Sequence, residues 1–191
     1  GWIDETPDGM RWHDYWRKMR GTTRGSPPRV SNEELVWSWI GSFLGITALV
    51  AVGQLLFAGT DLMLLIGSFG ASAVLVYGAG RRPLAQPRNL LGGHILSALT
   101  GVICWKLFQH VPWLAPGLAV AAAIVLMHAT RTLHPPGGAT ALIAVIGSPE
   151  IHALGFWYVL VPATLGPLIL LVMALLINNL PRSRRYPEIW F

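Results

Sequence analysis

LHPPGGATALIAV, Leu133 to Val145, sets a histidine, two prolines and two glycines directly before an apolar run. Proline has no N–H to donate and pushes the residue before it out of the helical region, so the chain is expected to be extended at the start of this stretch. The helix then restarts at Gly137 or Gly138, with backbone N–H groups that have no partner inside it. The segment from about His134 to Gly147 is short, because about 20 helical residues cross a hydrocarbon core and ~14 do not. Extended backbone rises about 3.3 Å per residue against 1.5 Å in a helix, so four extended and ten helical residues cover roughly 28 Å. An unwound His-Pro-Pro-Gly followed by a half-helix just crosses; the alternative is a re-entrant segment.

Composition says that this break sits in a membrane. The 191 residues are 53% hydrophobic and 12% charged, against about 25% charged for soluble domains, and the mean hydropathy is +0.51. From about Val36 onward the apolar residues fall in blocks with the charges between them, the pattern of an integral membrane protein. The net charge of +5 is read as basic cytoplasmic loops, with no nucleic-acid partner expected. The single cysteine, Cys104, lies within an apolar block and reads as a small buried hydrophobe. The polar, aromatic first residues do not suit a cleavable signal peptide.

Residues 1–33 form a polar amino-terminal segment in which Trp12, Tyr15, Trp16 and Met19 recur at helical spacing among basic residues, as in a short amphipathic helix at the membrane interface. Ser31 followed by Glu34 is a capping-box pattern that opens the first span, Leu35 to Phe57. Residues 34–181 then form the transmembrane domain. Span two covers Asp61 to Ala79, with Gly67, Ser68 and Gly70 in its middle. A basic, proline-broken loop leads to Asn89, expected to cap span three, Leu90 to Gln109. Span four covers Trp113 to Thr130, the opening stretch supplies span five, a turn follows at 148–155, and span six covers Phe156 to Leu180. Residues 182–191 form a basic cytoplasmic tail. Gly41 and Gly45 in span one read as close-packing positions.

Charge chooses among topologies. With the amino terminus inside and six crossings, every Lys and Arg except Lys106 falls on the inner side or in the tail, which is the positive-inside pattern. A re-entrant span five would put the basic tail outside. Both termini are therefore expected in the cytoplasm.

Gly70-Ala71-Ser72-Ala73 and Gly138-Ala139-Thr140-Ala141 match, and each lies in the second of three successive spans. The expected fold is thus all-α: a polytopic membrane helical bundle of about six spans, built as two inverted three-span repeats with discontinuous helices. In secondary transporters such breaks mark the substrate site. A helix start carries bare donors and partial positive charge, so it suits an anion. The candidate substrate-binding residues are Ser68, Gly70, Ala71 and Ser72 from the first repeat, and His134, Gly137, Gly138, Ala139 and Thr140 from the second. Arg131 either supports the anion or anchors the span at the interface. Arg88, His94 and His128 stand behind the site, His94 and His128 reading rather as structural histidines, while His13, His110 and His152 read as surface residues. No catalytic constellation, metal cluster or cofactor motif is present in the sequence, so no enzyme activity is expected.

HPPGGATAL at 134–142, together with the run from Gly67 to Val102, resembles the HPP family of integral membrane proteins, over roughly residues 35–180. The resemblance implies a bacterial inner-membrane protein. Because chloroplast and cyanobacterial members are associated with nitrite transport, it also implies a nitrite-like small anion as substrate. Partners are then the lipid bilayer and that anion. Six spans leave little room for a path inside one chain, so a homo-oligomer is expected. The alternatives are a non-transporting membrane scaffold or accessory subunit, or a carrier of another small solute.

Overall fold

The computed structural model describes residues 12–20, 28–57 and 66–191. The chain divides into two units, Gly1–Val30 and Ser31–Phe191. In the first, α1 (Trp12–Met19) is the expected amphipathic helix, steadied by an exposed Arg17–Asp14 ion pair at 2.9 Å.

Among the described residues every element of the second unit is a helix: α2 (Asn32–Phe57), α3 (Ile66–Gly78), a 3₁₀ turn (Pro83–Ala85), α4 (Pro87–Phe108), α5 (Ala115–Ala129), α6 (Pro136–Ile146), α7 (Pro149–Leu154), α8 (Trp157–Leu160) and α9 (Pro162–Ile177). Three stretches are long and apolar enough to cross a bilayer: Asn32–Leu56, Pro87–Phe108 and Trp157–Ile177. Three shorter apolar helices lie between them, Gly67–Gly78 after the first and Ala115–Ala129 and Pro136–Ile146 after the second. Among them α4 is central, packing on α5, α6, α8 and α9. Around it α2 packs on α3 and α9, α3 on α6 and α9, and α5 on α6.

Several local expectations hold. Ser31 Oγ accepts the Glu34 N–H at 3.1 Å, capping α2. A Cβ at Gly41 would come within 2.7 Å of the Tyr77 ring and one at Gly45 within 2.2 Å of its hydroxyl, so these glycines let α2 close on α3.

Others are corrected. Span three begins at Pro87, whose fixed φ and missing donor suit the first turn, and Gln86 is its cap residue. Asn89 instead donates its side-chain amide to Leu133 O at 2.8 Å. The turn expected at 148–155 contains α7, ended by Gly155 at φ 52°. Span six is interrupted at Val161, before Pro162. In α3, Gly67 and Ser68 lie in the first described turn, and the earlier part of span two, from Asp61, lies outside the described residues. The unwinding in the opening stretch falls earlier than expected. Thr132 to His134 are non-helical, whereas Pro135 already has helical angles (φ −51°, ψ −38°) and Pro136 begins α6.

The carboxyl-terminal residues are not a free basic tail. Arg184, only 8% exposed, bonds both Glu34 carboxylate oxygens (2.7 and 3.0 Å), and it also donates to Ser38 Oγ at 2.7 Å and Asn178 Oδ1 at 3.2 Å. Tyr186 is buried and donates to Ala85 O at 2.8 Å. Gln86 Oε1 accepts the Glu188 N–H at 2.9 Å. The tail thereby straps the 80–86 loop to the ends of α2 and α9.

Candidate functional site

The polarity of the second unit is inverted relative to a water-soluble core. Large apolar side chains such as Leu55 and Leu107 are 85% and 65% exposed, while Ser68, Ser72, His94, His134 and Thr140 are at most 1% exposed. Buried polar groups survive only when hydrogen-bonded, and these five bond one another.

His134 ends the non-helical stretch and turns inward. Its Nδ1 lies 2.8 Å from Leu84 O, a carbonyl that can only accept, so Nδ1 carries the proton and donates. Its Nε2 lies 2.9 Å from Ser72 Oγ on α3. The same hydroxyl lies 2.8 Å from Nε2 of His94 on α4. His94 Nδ1 lies 2.7 Å from Thr140 Oγ1 on α6, which is 3.2 Å from Ser68 Oγ. Around this chain, the Phe69 ring stands edge-on to His94 with centroids 5.3 Å apart, and Tyr158 donates to Thr140 O at 2.7 Å.

The contacts also give the direction of the two short helices. Ser68 meets Thr140 and, one turn further along α3, Ser72 meets His134, six residues back in the chain. The stretch from His134 into α6 therefore runs antiparallel to α3 where they meet.

Why α6 can come so close to α4 is a matter of missing side chains. A Cβ on Gly137 would lie 2.6 Å from Ser97 Oγ and 2.9 Å from Gly93 O, and a Cβ on Gly93 would lie 2.4 Å from His134 Cβ. This pair of glycines sets the depth at which His134 enters the bundle. Gly138 differs, for a Cβ there would meet only Val120 Cγ1, at 3.9 Å.

The expectation of unpaired amides at the start of α6 is overturned. Gly137 N–H donates to His134 O at 2.9 Å and Gly138 N–H to Pro135 O at 3.0 Å. Because Pro135 already has helical angles, one turn is completed ahead of the helix, and its carbonyls take the donors that would otherwise be bare.

Of the sequence-derived residues, the fold brings Ser68, Ser72, His134, Gly137 and Thr140 together in the interior. Gly70, Gly138 and Ala139 are half-buried, and Ala71 is exposed. Arg131 is exposed too. It ends α5 at φ 58°, donating to His128 O at 3.1 Å while Thr132 N–H reaches Met127 O at 2.8 Å. That is a Schellman ending, with arginine where glycine is usual. Arg88 donates to Thr130 O at 2.8 Å and so caps the same helix end. His128 is exposed. His152 is half-buried, stacked on Trp105 with centroids 3.6 Å apart and donating to Val145 O.

The sequence reading gave His94 too little weight, and it missed Tyr158, Phe69 and the Leu84 carbonyl. No period or motif signals them, because each is brought to the site by packing between elements.

An apolar exterior over spanning helices, closed around a buried polar cluster, defines a polytopic α-helical membrane protein. Within that class the chain belongs to the HPP family, whose transmembrane-region model matches residues 27–187. It is similar to two proteins of Dictyostelium discoideum described as transmembrane proteins. One is 46% identical over 180 residues, covering 93% of this chain and 57% of the relative; the other is 42% identical over 181 residues, covering 93% and 63%. The chain thus spans about three-fifths of the length of these relatives. No solved structure matches it.

Proposed function

We propose that this protein transports a small monovalent anion, nitrite first, through the antiparallel crossing of α3 and α6. The observation that carries the reading is the meeting of α3 with α6 at Ser68–Thr140 and with the break before α6 at Ser72–His134, deep in an otherwise apolar bundle. Hydroxyl and imidazole donors gather there, and among the described residues their hydrogen bonds bring in no carboxylate. Such a lining suits a single small negative charge better than a cation. Gly70, with open space beside it, and Gly138, with only Val120 Cγ1 at 3.9 Å, leave backbone approachable at the flanks.

The inverted-repeat reading is supported by the packing. Exchanging α2 with α5, α3 with α6 and α4 with α9 leaves the main set of helix contacts unchanged: α2–α3 becomes α5–α6, α2–α9 becomes α5–α4, and α3–α9 becomes α6–α4. Paired discontinuous helices of opposite direction suit alternating access. The distribution of basic residues supports cytoplasmic termini, and a bacterial plasma membrane and a homo-oligomeric assembly complete the reading.

A second reading, a non-transporting scaffold, is favoured by the closed hydrogen bonding of the first turn of α6. The two readings separate in proteoliposomes assayed for uptake of nitrite, nitrate, formate and chloride, with and without a pH gradient and against protein-free vesicles. Saturable nitrite uptake, lost in Gly138→Val while the protein stays folded, is expected. Uptake no greater than in protein-free vesicles favours the scaffold, and normal uptake in the Gly138→Val chain overturns the site.

A further inference from the structure

We propose that Thr140, His94, Ser72 and His134 form a proton relay that carries one proton with each transported anion. The transport half of this statement rests on the function proposed above; the relay rests on hydrogen-bond geometry alone.

Leu84 O can only accept, so His134 Nδ1 keeps its proton. With a neutral ring, His134 Nε2 is bare and needs a donor, and Ser72 Oγ–H is the group in reach at 2.9 Å. Having given its one proton to His134, Ser72 Oγ accepts from His94 Nε2–H at 2.8 Å. His94 Nδ1 is then bare and takes the Thr140 hydroxyl proton at 2.7 Å. Every bond points the same way, toward Leu84. Any other neutral arrangement sets a bare ring nitrogen against a hydroxyl whose proton is spent elsewhere. The longer contact of Ser72 Oγ to Ser68 O, 3.3 Å, does not compete with the shorter imidazole bonds.

Adding one proton at the Thr140 end reverses the chain without loss of a bond. Thr140 passes its original proton to His94 Nδ1; His94 passes the proton on Nε2 to Ser72; Ser72 passes its own to His134 Nε2. His134 becomes an imidazolium that donates from both nitrogens. Ser72 then donates to His94 Nε2, His94 Nδ1 donates to Thr140, and Thr140 donates to Ser68 Oγ at 3.2 Å. Within the four residues three O–H and N–H bonds break and four form, the fourth holding the proton taken up from water. The neutral chain keeps four hydrogen bonds and the protonated chain five in one heavy-atom arrangement; because the Leu84 carbonyl takes no proton, release retraces the same steps and returns the proton at the Thr140 end.

The surroundings couple this proton to an anion. The groups packed on the rings are Phe69 of α3, the Leu84 carbonyl and, through Thr140 O, the Tyr158 hydroxyl; the other buried phenols, Tyr77 and Tyr186, donate away to Leu170 O and Ala85 O. Among the described residues none of these contacts brings in a carboxylate, lysine or arginine. A buried imidazolium without a counter-charge is costly, and so is a buried anion without one. Each therefore favours the arrival of the other, and the pair crosses as a neutral load.

The test uses the full chain, labelled with ¹⁵N-histidine, in lipid vesicles. By solid-state NMR, neutral pH should give His134 protonated on Nδ1 and His94 on Nε2. Acidification should add one proton to the His94–His134 pair, turning His134 into imidazolium and moving the His94 proton to Nδ1. In Ser72→Ala the His94 tautomer should no longer follow His134. Fixed tautomers in the wild-type chain, or a His94 switch that survives Ser72→Ala, overturn the relay; the wild-type measurement needs no variant to fold. In parallel, uptake of nitrite is read together with a pH dye inside the vesicles. One proton per anion predicts about tenfold accumulation per unit of pH gradient, lost in Ser72→Ala. Nitrite uptake with an unchanged gradient response in that variant also overturns the relay. Tautomer switching in a wild-type chain that carries no anion would instead sink the transport reading and leave the relay standing.

Discussion

His94 and His134 lie with ring centroids 5.1 Å apart, one from the middle of a long spanning helix and the other from a break in the chain forty residues later. They do not bond each other. A single serine hydroxyl stands between their Nε2 atoms, at 2.8 and 2.9 Å, so each ring's proton position depends on the other's.

Removing one ring leaves partners stranded. His94→Ala takes the bonds of Ser72 and Thr140 and opens a cavity beside Phe69. The expected cost is about 3 kcal/mol, the sum of lost hydrogen bonds and packing. Thermal unfolding in detergent, compared with the exposed His128→Ala, measures it; equal midpoints would contradict the buried network.

The two glycines of the motif should separate. Gly137→Ala drives a methyl against Ser97 Oγ and the Gly93 carbonyl and should destabilise by about 1–3 kcal/mol. Gly138→Ala meets only ordinary contact, and its higher helix propensity should stabilise α6 by about 0.5–1 kcal/mol. Unfolding midpoints of the two variants, moving in opposite directions, are the expected result.

Arg131 occupies a left-handed position that favours glycine. Arg131→Gly should relieve about 1 kcal/mol of backbone strain and raise the unfolding midpoint. Nitrite uptake by the same variant then reports on the charge alone: a slower rate in a more stable protein would assign the arginine to the anion path, and an unchanged rate to anchoring.

The strap rests on Arg184. Arg184→Ala takes the charged donor from Ser38 and from the part-exposed Glu34, and a loss of about 1.5–3 kcal/mol is expected, as for hydrogen bonds to charged groups. Arg17→Ala, at the exposed pair in α1, should change stability by less than about 0.5 kcal/mol. Protease sensitivity of the carboxyl terminus should rise in the first variant only.

Tyr186 supplies a pH signature. Burial, and then the neighbouring Tyr77, hold its phenol above the usual range. The folded state therefore keeps a proton that the unfolded state gives up, so this contribution is complete below about pH 10 and declines as pH rises beyond it. Alkaline titration followed by tyrosinate absorbance should show one late-titrating phenol fewer in Tyr186→Phe, and the loss of stability at high pH should be shallower.

The sequence by itself determined the class and the order of the helices. Apolar blocks separated by charge are legible residue by residue, because lipid imposes the same demand on every exposed position. Ser31 and the prolines marked helix ends because their effects are local. The break near His134 was legible for the same reason, although Pro135 and Pro136 start the helix rather than lengthen the unwound stretch. Only the tertiary structure decided the site. Whether His94, Ser72 and Thr140 meet depends on the angle and depth at which α3, α4 and α6 pack, and that depth is set by Gly93 and Gly137 facing each other across 44 positions of sequence. It likewise turned a basic tail into a strap, since a charge count cannot tell that Arg184 will find Glu34 150 residues away. Local rules act through neighbours in the chain, whereas a buried network is made by neighbours in space.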